Sequence, residues 1–428
     1  MPKSRTFADV PIGRELWRAL ENGRLPKQSF DALLLEHHFS VCATCPTELN
    51  AYHSGAPAAP EPTDESAERF LAELLQLPVG ERLDRLNQAQ PASMKALAHR
   101  LLDESFACLP ANPMGSLERA KLAQVAAERA SPQDREALVL AHAHQGNALR
   151  AVGRLRDAGR HMAEARRRLH EVDDRGLRIT ELSVYATVDW MEGTYQRELS
   201  EFEHAEALLN HAVLLFSLKG NLATVYQVML SLGELYIRQG NTRDALDAIS
   251  KVLAYIQEAD SPRLYWSARF NHAVYLAEAG LFQEARRELL ACRAARALEH
   301  DEFFLRRARW LEGRIALGLG QDADAERLLA GVREGYLGDG SGINMALVSL
   351  DLACLYLQTG DSAKLKRVAK EMALIFSAND VHREALAALV LFQEAVRQEG
   401  LTAAFLLRLR RYLEAARNNP SLPFERPS

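Results

Sequence analysis

The chain has 428 residues and a formal net charge of −5 at pH 7, so no overall positive field would draw it to nucleic acid. It contains no run of about 18 apolar residues, and its first residues lack the apolar core of a secretory signal. Its five cysteines do not make a disulfide framework in a chain of this length, so we expect a cytoplasmic protein without a membrane partner.

Residues 1–53 form a first predicted module, which contains a cluster of residue types that bind metals. In the segment HHFSVCATC, His38 and Cys42 are four residues apart and would share one face of a helix. Cys42 and Cys45 form a CxxC pair, and these three side chains are of the kind that zinc takes. A bound zinc would explain how so small a module folds. A metal-free module and a pair of reactive thiols are the alternatives.

The segment NGRLPKQSFDALLLEHHFSVCATCPTEL resembles the zinc-finger module of bacterial zinc-binding anti-sigma factors. In that family a helix ends in His-x3-Cys-x2-Cys after a Gly-x-Leu turn, which Gly23 and Leu25 match here. The family's fourth ligand lies upstream, but this sequence has no His or Cys before His37. The candidates for the fourth position are His37, His53, Asp9 and Glu15. The resemblance implies zinc as a cofactor and a sigma factor or another regulator as a partner.

The chain after this module divides by composition. Residues 54–66 are rich in Pro, Ala and acidic residues, and we predict an extended linker there. Residues 67–133 are predicted to be helical and to form the N-terminal part of a repeat array. The array itself is predicted over residues 134–420, with a tail over residues 421–428.

A glycine recurs every 40 residues in the predicted array, at Gly240, Gly280, Gly320, Gly360 and Gly400. Small residues recur seven positions before and five positions after it, where two helices joined by a tight turn would cross closely. The rule decays at the C-terminal end, where Leu365, Gln393 and Phe405 fill the small positions. Farther upstream the same frame places Gly153 and Ser200 at the turn. Glycine adopts a positive φ at little cost, so each of these positions predicts the end of the first helix of a pair.

The repeat resembles the tetratricopeptide repeat. In SLGELYIRQGNTRDALDAI, the positions where that motif has Leu, Gly, Tyr, Gly and Ala are Leu232, Gly233, Tyr236, Gly240 and Ala245. The usual repeat has about 34 residues, and the longer period here is similar to that of bacterial signalling and transcriptional regulators. The resemblance implies an all-α fold, a right-handed superhelical solenoid of extended helical hairpins.

In tetratricopeptide arrays the first helix of each unit lines a concave groove that holds a protein or peptide. Carried over by motif position, the predicted partner-binding residues are Asn147, Arg150, Arg197, Arg238, Asn271, Arg307, Trp310 and Arg314. Arg307, Trp310 and Arg314 would share one helix face and suit an acidic group or a terminal carboxylate of a peptide. Tryptophans packed between helices and a solvated arginine stripe are the alternatives.

The sequence contains none of the usual catalytic motifs: no nucleophile elbow, no phosphate-binding loop and no His-Glu-x-x-His. We therefore expect a non-enzymatic regulatory protein, with a repeat solenoid as its binding surface and a zinc-finger docking module. The alternatives are a metal-free scaffold and a regulatory subunit of a separately encoded protease or kinase. Nucleic acid is not an expected partner, because acidic residues interrupt the basic run over residues 156–175.

Overall fold

The computed structural model describes residues 65–88, 94–110, 112–130, 133–172, 179–259, 261–294, 302–338, 342–378, 383–398 and 400–416, together with 419, 422 and 424. This part of the chain contains 18 helices and no strand, which confirms the all-α prediction. None of its helices is long and apolar enough to cross a membrane. The predicted zinc ligands His37, His38, Cys42 and Cys45 lie outside the described residues, as does nearly all of the predicted linker.

The helices are named here in chain order. The first four are α1 Glu65–Gln76, α2 Val79–Gln88, α3 Met94–Cys108 and α4 Pro113–Arg129. The next six are α5 Arg135–Ala151, α6 Leu155–Leu169, α7 Leu182–Glu198, α8 Phe202–Leu218, α9 Leu222–Gln239 and α10 Thr242–Tyr255. Four more are α11 Pro262–Glu278, α12 Phe282–Arg293, α13 Glu302–Gly318 and α14 Asp322–Gly338. The last four are α15 Gly342–Gln358, α16 Ser362–Ala378, α17 Arg383–Arg397 and α18 Ala403–Ala416. The chain divides into two compact units at a position within α9: unit 1 ends at Val228 and unit 2 begins at Met229.

The turns inside the helix pairs follow the predicted period. Gly240, Gly280, Gly320 and Gly360 have φ values of 79°, 79°, 69° and 74°, as a glycine that ends a helix in the left-handed region should. Gly153 has a φ of 77°, and Ser200 occupies the equivalent position with a φ of 63°. Ser200 is the one non-glycine residue with a positive φ among the described residues, so the fold imposes this conformation on a residue that resists it.

The small residues of the repeat lie where helices cross. A Cβ added at Gly313 in α13 would lie 2.8 Å from a methyl carbon of Leu329 in α14. A Cβ added at Gly193 in α7 would lie 2.9 Å from Leu209 in α8. The partner position at Ala325 is fully buried. The prediction that close crossing requires small side chains is therefore confirmed at these pairs.

The last helix departs from the repeat. Gly400 does not have a left-handed φ, and α18 packs against α15 more extensively than against α17, its predecessor in the chain. Leu406, Leu409 and Leu413 of α18 are buried in the same core cluster as Leu350 of α15. The fifth glycine of the period therefore does not mark a left-handed turn like the other four.

Candidate functional site

A cavity of about 420 Å³ opens in unit 1 between α3, α5 and α7, at the end of α8 and the start of α9. One group of lining side chains is aromatic and comprises Phe106, His144, Trp190 and Phe216. A second group is polar and comprises Asp103, Ser183, Thr187, Asn221, Thr224 and Gln227. Two leucines, a methionine and His99 complete the wall. A concave, largely apolar site with a few converging polar groups is the usual form of a ligand pocket.

The aromatic side chains form a continuous row. The ring of Phe106 lies 5.3 Å from that of Trp190 and 6.3 Å from that of His144, centroid to centroid. Trp190 in turn lies 6.4 Å from Phe216, with the two rings nearly perpendicular. These tilted and edge-to-face arrangements leave parts of the ring faces directed away from one another. The row brings together residues of four helices that are distant in the sequence.

Titratable side chains lie in and beside the cavity, and their surroundings shift their pKa values in different directions. Nε2 of His99 lies 2.9 Å from Oδ2 of Asp134, and this hydrogen bond raises the pKa of His99. Asp134 also accepts a bond from the backbone N–H of Ala137, so it caps the N-terminus of α5. Burial lowers the pKa of His144 to about 4, which leaves its ring neutral at pH 7. Burial raises the pKa of the Asp103 carboxyl, an effect that Arg100 and His99 oppose.

Three of the predicted partner-binding residues do not line this cavity and meet around a buried carboxylate instead. Arg150 donates to Oδ1 of Asn147 at 2.9 Å and to Oε1 of Glu198 at 3.3 Å. Arg197 donates to the same Glu198 oxygen at 3.2 Å. Glu198 is 1% exposed and Arg197 is 5% exposed, so this cluster is an internal ion pair network. A role of these residues in partner binding stays a prediction.

The predicted set in unit 2 is also engaged within the protein. Nε1 of Trp310 donates to Oδ2 of Asp351 at 2.6 Å, and Arg314 donates to Oε1 of Glu278 at 2.9 Å. The guanidinium carbon of Arg307 lies 5.0 Å from the ring centroid of Phe270. The trio therefore does not converge on one free cationic site. The two remaining predicted residues, Asn271 on α11 and Arg238 on α9, are half-buried.

A second cavity of about 300 Å³ lies beside Trp310, between α11, α13, α15 and α18. Its charged lining consists of Glu278, Arg314, Asp351 and Arg410. Arg410 pairs with Asp351 and with Glu414, and Arg314 pairs with Glu278. Burial alone would raise the pKa of Glu278, but Arg314 and Arg410 lower it below its ordinary value. The two arginines and the two acidic residues of the lining therefore balance one another's charge.

A pair of histidines and two buried thiols are the other reactive residue types considered, and Cys354 among them lines the second cavity. His142 and His161 face each other with their Nδ1 atoms 3.3 Å apart, and His142 points away from the cavity that its neighbour His144 lines. Burial raises the pKa of Cys292 to about 12 and of Cys354 to about 11, so both thiols stay protonated at neutral pH. Within the described part of the chain, no group of three or more His, Cys, Asp and Glu could hold a metal ion.

Sequence reasoning identified only part of the cavity in unit 1. Trp190 lies on the first helix of its pair, α7, so the tetratricopeptide frame assigns it to the inner wall, but the frame assigns no such position to Phe106 or Phe216. Phe106 lies in α3, ahead of the glycine period, and Phe216 lies on the second helix of its pair. No sequence signal relates these two rings, because the contact depends on how the helices stack.

No protein-family model matches the chain, and a search of curated proteins found no match. Solved structures do match it. The crystal structure of a Rap protein complexed with Competence and Sporulation Factor has a TM-score of 0.58 and 13% sequence identity, covering 75% of this chain and 88% of that one. The apo form of RapI has a TM-score of 0.50 and 12% identity, covering 74% of this chain and 87% of that one. A tetratricopeptide repeat protein from Parabacteroides merdae has a TM-score of 0.41 and 16% identity, covering 69% and 98%. The first two matches show a shared helical-repeat fold.

Proposed function

We propose that the chain is a non-enzymatic regulatory protein that binds a peptide, or an extended segment of a protein, in the cavity of unit 1. The observation that supports this most directly is the row of aromatic rings beside a cluster of hydroxyl and amide side chains. Aromatic rings in a desolvated pocket supply much of the energy of peptide recognition. Hydroxyl and amide groups can both donate and accept, as the backbone of an extended peptide requires.

The fold supports the same proposal. The Rap protein with which this chain shares its fold was crystallised with Competence and Sporulation Factor, a bound partner, on the same kind of helical scaffold. The volume of the cavity also lies in the range of about 300 to 1,000 Å³ that is usual for ligand pockets. We therefore place the partner in unit 1 rather than at the arginines of unit 2, whose guanidinium groups already contact internal carboxylates or an aromatic ring.

The N-terminal module belongs to the proposal through its sequence alone. Its His38, Cys42 and Cys45 would bind zinc, with His37 as one candidate for the fourth ligand, and the module would dock on a sigma factor or another cytoplasmic regulator. Zinc analysis of untagged protein tests this part by itself. About one zinc per chain supports the docking module, and protein without metal leaves a repeat scaffold or an enzyme's regulatory subunit.

The binding proposal is tested with the full-length protein and a displayed library of random peptides. Selected peptides are then measured by calorimetry against Thr187→Arg, which places a long side chain in the cavity on α7. Ser250→Arg is the matched control, since Ser250 is exposed on α10 in unit 2. We expect Thr187→Arg to weaken binding about tenfold or more, and Ser250→Arg to leave it unchanged.

Two results would contradict the proposal. One is a library selection that enriches no peptide. The other is unchanged affinity in a Thr187→Arg protein that keeps the melting temperature of the parent.

A further inference from the structure

Resting on the proposed peptide-binding function, we propose that the cavity of unit 1 holds a cationic side chain of its peptide, an arginine guanidinium or a lysine ammonium. The cation would lie against the aromatic row of Phe106, Trp190 and Phe216 and face the carboxylate of Asp103. The proposed partner is therefore a peptide that contains a basic residue.

The aromatic row provides the first part of the argument. Each ring carries a negative face that attracts a cation within about 6 Å of the ring centroid, and tryptophan does so most strongly. The three rings lie in a row: the centroids of Phe106 and Trp190 are 5.3 Å apart, and those of Trp190 and Phe216 are 6.4 Å apart. A cation entering between α3 and α7 would therefore come within reach of more than one ring. A row of this kind serves a simple apolar side chain too, so the charges must decide between the two.

The charge of the wall provides the second part. The lining contains three titratable residues, namely His99, Asp103 and His144. His99 is bonded to the buried carboxylate of Asp134, which offsets any charge on its ring. His144 is buried beside Phe106, and this burial lowers its pKa to about 4, so the ring is neutral at pH 7. Asp103 thus contributes the remaining formal charge, and that charge is negative.

The residues around these groups do not reverse this sign. Lys95 and Glu136 act on His99 in opposite directions. Arg100 and His99 lower the pKa of Asp103 and so favour its carboxylate form, Glu104 raises that pKa, and Arg100 pairs with Glu68 on α1. A negative group in the cavity would meet Asp103 without a lining arginine or lysine to offset it. A positive group would meet a carboxylate and several ring faces, which is the environment that selects organic cations.

The preference is opposite to the one expected from the sequence. The sequence predicts a site for an acidic group at Arg307, Trp310 and Arg314. In the structure, however, Arg314 already donates to Glu278 and Trp310 already donates to Asp351. In unit 1 the aromatic rings lie beside an acidic residue instead of arginines. The two expectations therefore predict peptides of opposite charge, and a single experiment separates them.

The test uses the full-length protein labelled with ¹⁵N at its tryptophan indoles. The probe is N-acetyl-arginine N-methylamide, and the matched neutral probe is N-acetyl-citrulline N-methylamide, which has the same shape without the charge. Trp190→Phe identifies the indole signal of Trp190. We expect the arginine probe to move that signal with an affinity at least about tenfold higher than the citrulline probe.

The carboxylate is tested by Asp103→Asn, with Asp84→Asn as the matched control because Asp84 is exposed on α2. Asp103→Asn should lower the affinity for the arginine probe about fivefold or more and leave the affinity for the citrulline probe unchanged. Asp84→Asn should change neither affinity. Equal binding of the two probes, or the same arginine affinity in Asp103→Asn, would overturn the inference.

The failure of this inference and the failure of peptide binding give different results. Suppose that the library peptides bind Thr187→Arg more weakly, but keep their affinity for the parent when their arginines are replaced by citrulline and their lysines by norleucine. Peptide binding in the cavity would then be supported, and the cation site would be refuted. An arginine probe that shifts Trp190 while no library peptide binds supports the cation site and refutes the peptide.

Discussion

Arg410, on the last helix, pairs with Asp351, which lies 59 residues earlier in the chain on α15. Asp351 is 4% exposed, and it also accepts the indole N–H of Trp310 from α13 at 2.6 Å. One buried carboxylate therefore joins three helices. This explains why α18 is part of the core of unit 2 and is not frayed: Arg410 pairs with a carboxylate of α15, and the leucines of α18 are buried in the same core cluster as α15.

Removal of the Arg410 side chain is expected to destabilise unit 2. Arg410→Ala leaves the Asp351 carboxylate buried without its cation, which costs about 3 to 5 kcal/mol of unfolding free energy. Denaturant unfolding monitored by the fluorescence of Trp310, in a variant without the other tryptophans, measures this cost. Arg327→Ala is the control, because its pair with Asp324 is exposed and contributes about 0.5 kcal/mol or less. Equal effects of the two substitutions would show that the buried pair does not hold α18.

Ser200→Gly is expected to stabilise the protein. Ser200 has a φ of 63°, a region that costs a non-glycine residue about 1 to 2 kcal/mol, and glycine removes that cost. The same substitution at Ser250, inside helix α10, should destabilise by about 0.5 kcal/mol because glycine is a poorer helix former than serine. The two variants thus differ in sign, and thermal unfolding of both measures it. A lower melting temperature for Ser200→Gly would contradict the assignment of strain to this turn.

Alanine substitution of two helical glycines should also give opposite signs. Gly313→Ala places a Cβ 2.8 Å from Leu329, and the overpacking should cost about 1 to 3 kcal/mol. Gly331→Ala adds a Cβ that meets nothing within 4 Å, so the helix propensity of alanine should stabilise α14 by about 1 kcal/mol. Denaturation midpoints test both, and a stabilising Gly313→Ala would show that the helices do not cross as closely as the fold requires.

Acidification is expected to destabilise unit 1 between about pH 6.5 and pH 4. His144 has a pKa of about 4 in the folded protein because it is buried, against 6.5 when exposed. In this window the unfolded chain binds the proton and the folded chain does not, so stability is complete above pH 6.5 and falls as the pH approaches 4. The loss can reach about 3 kcal/mol for this one ring.

His144→Phe keeps an aromatic ring beside Phe106 and removes the titration. The difference in unfolding free energy between pH 7 and pH 5 should therefore be smaller in this variant than in the parent. His204→Phe serves as the control, at a histidine outside the cavity on α8. An unchanged pH dependence in His144→Phe would mean that the ring is already charged in the folded protein.

The period of the glycines predicts the turns because a left-handed helix end is a local property of the chain. It fails at Gly400 for a physical reason: what decides the position of α18 is the burial of Leu406, Leu409 and Leu413 against α15, and a period carries no information about which helix will be the neighbour. The sequence thus predicts the fold class and the first six pairs of the array more reliably than its end.

The binding surface is less predictable than the fold. The sequence places arginines such as Arg150 and Arg197 on the inner wall, but it does not show that Glu198 is buried between them. It also gives no reason to associate Phe106 with Trp190, which are brought together by stacking of α3 on α5 and of α5 on α7. Pairings of this kind arise from tertiary packing, where side chains distant in the sequence compete for the same partners.

The position of α18 also bears on how this protein can change in length. Arrays of repeats gain units by duplication, and a new copy must pack on the unit before it. A copy added after α18 would meet a helix that packs less on α17 than on α15, where its apolar face is already buried. Lengthening at this end would have to break the Arg410–Asp351 pair, whereas duplication of an internal pair would leave it intact. We therefore expect a repeat unit inserted before α15 to be tolerated better than one that disturbs the packing of α18 on α15.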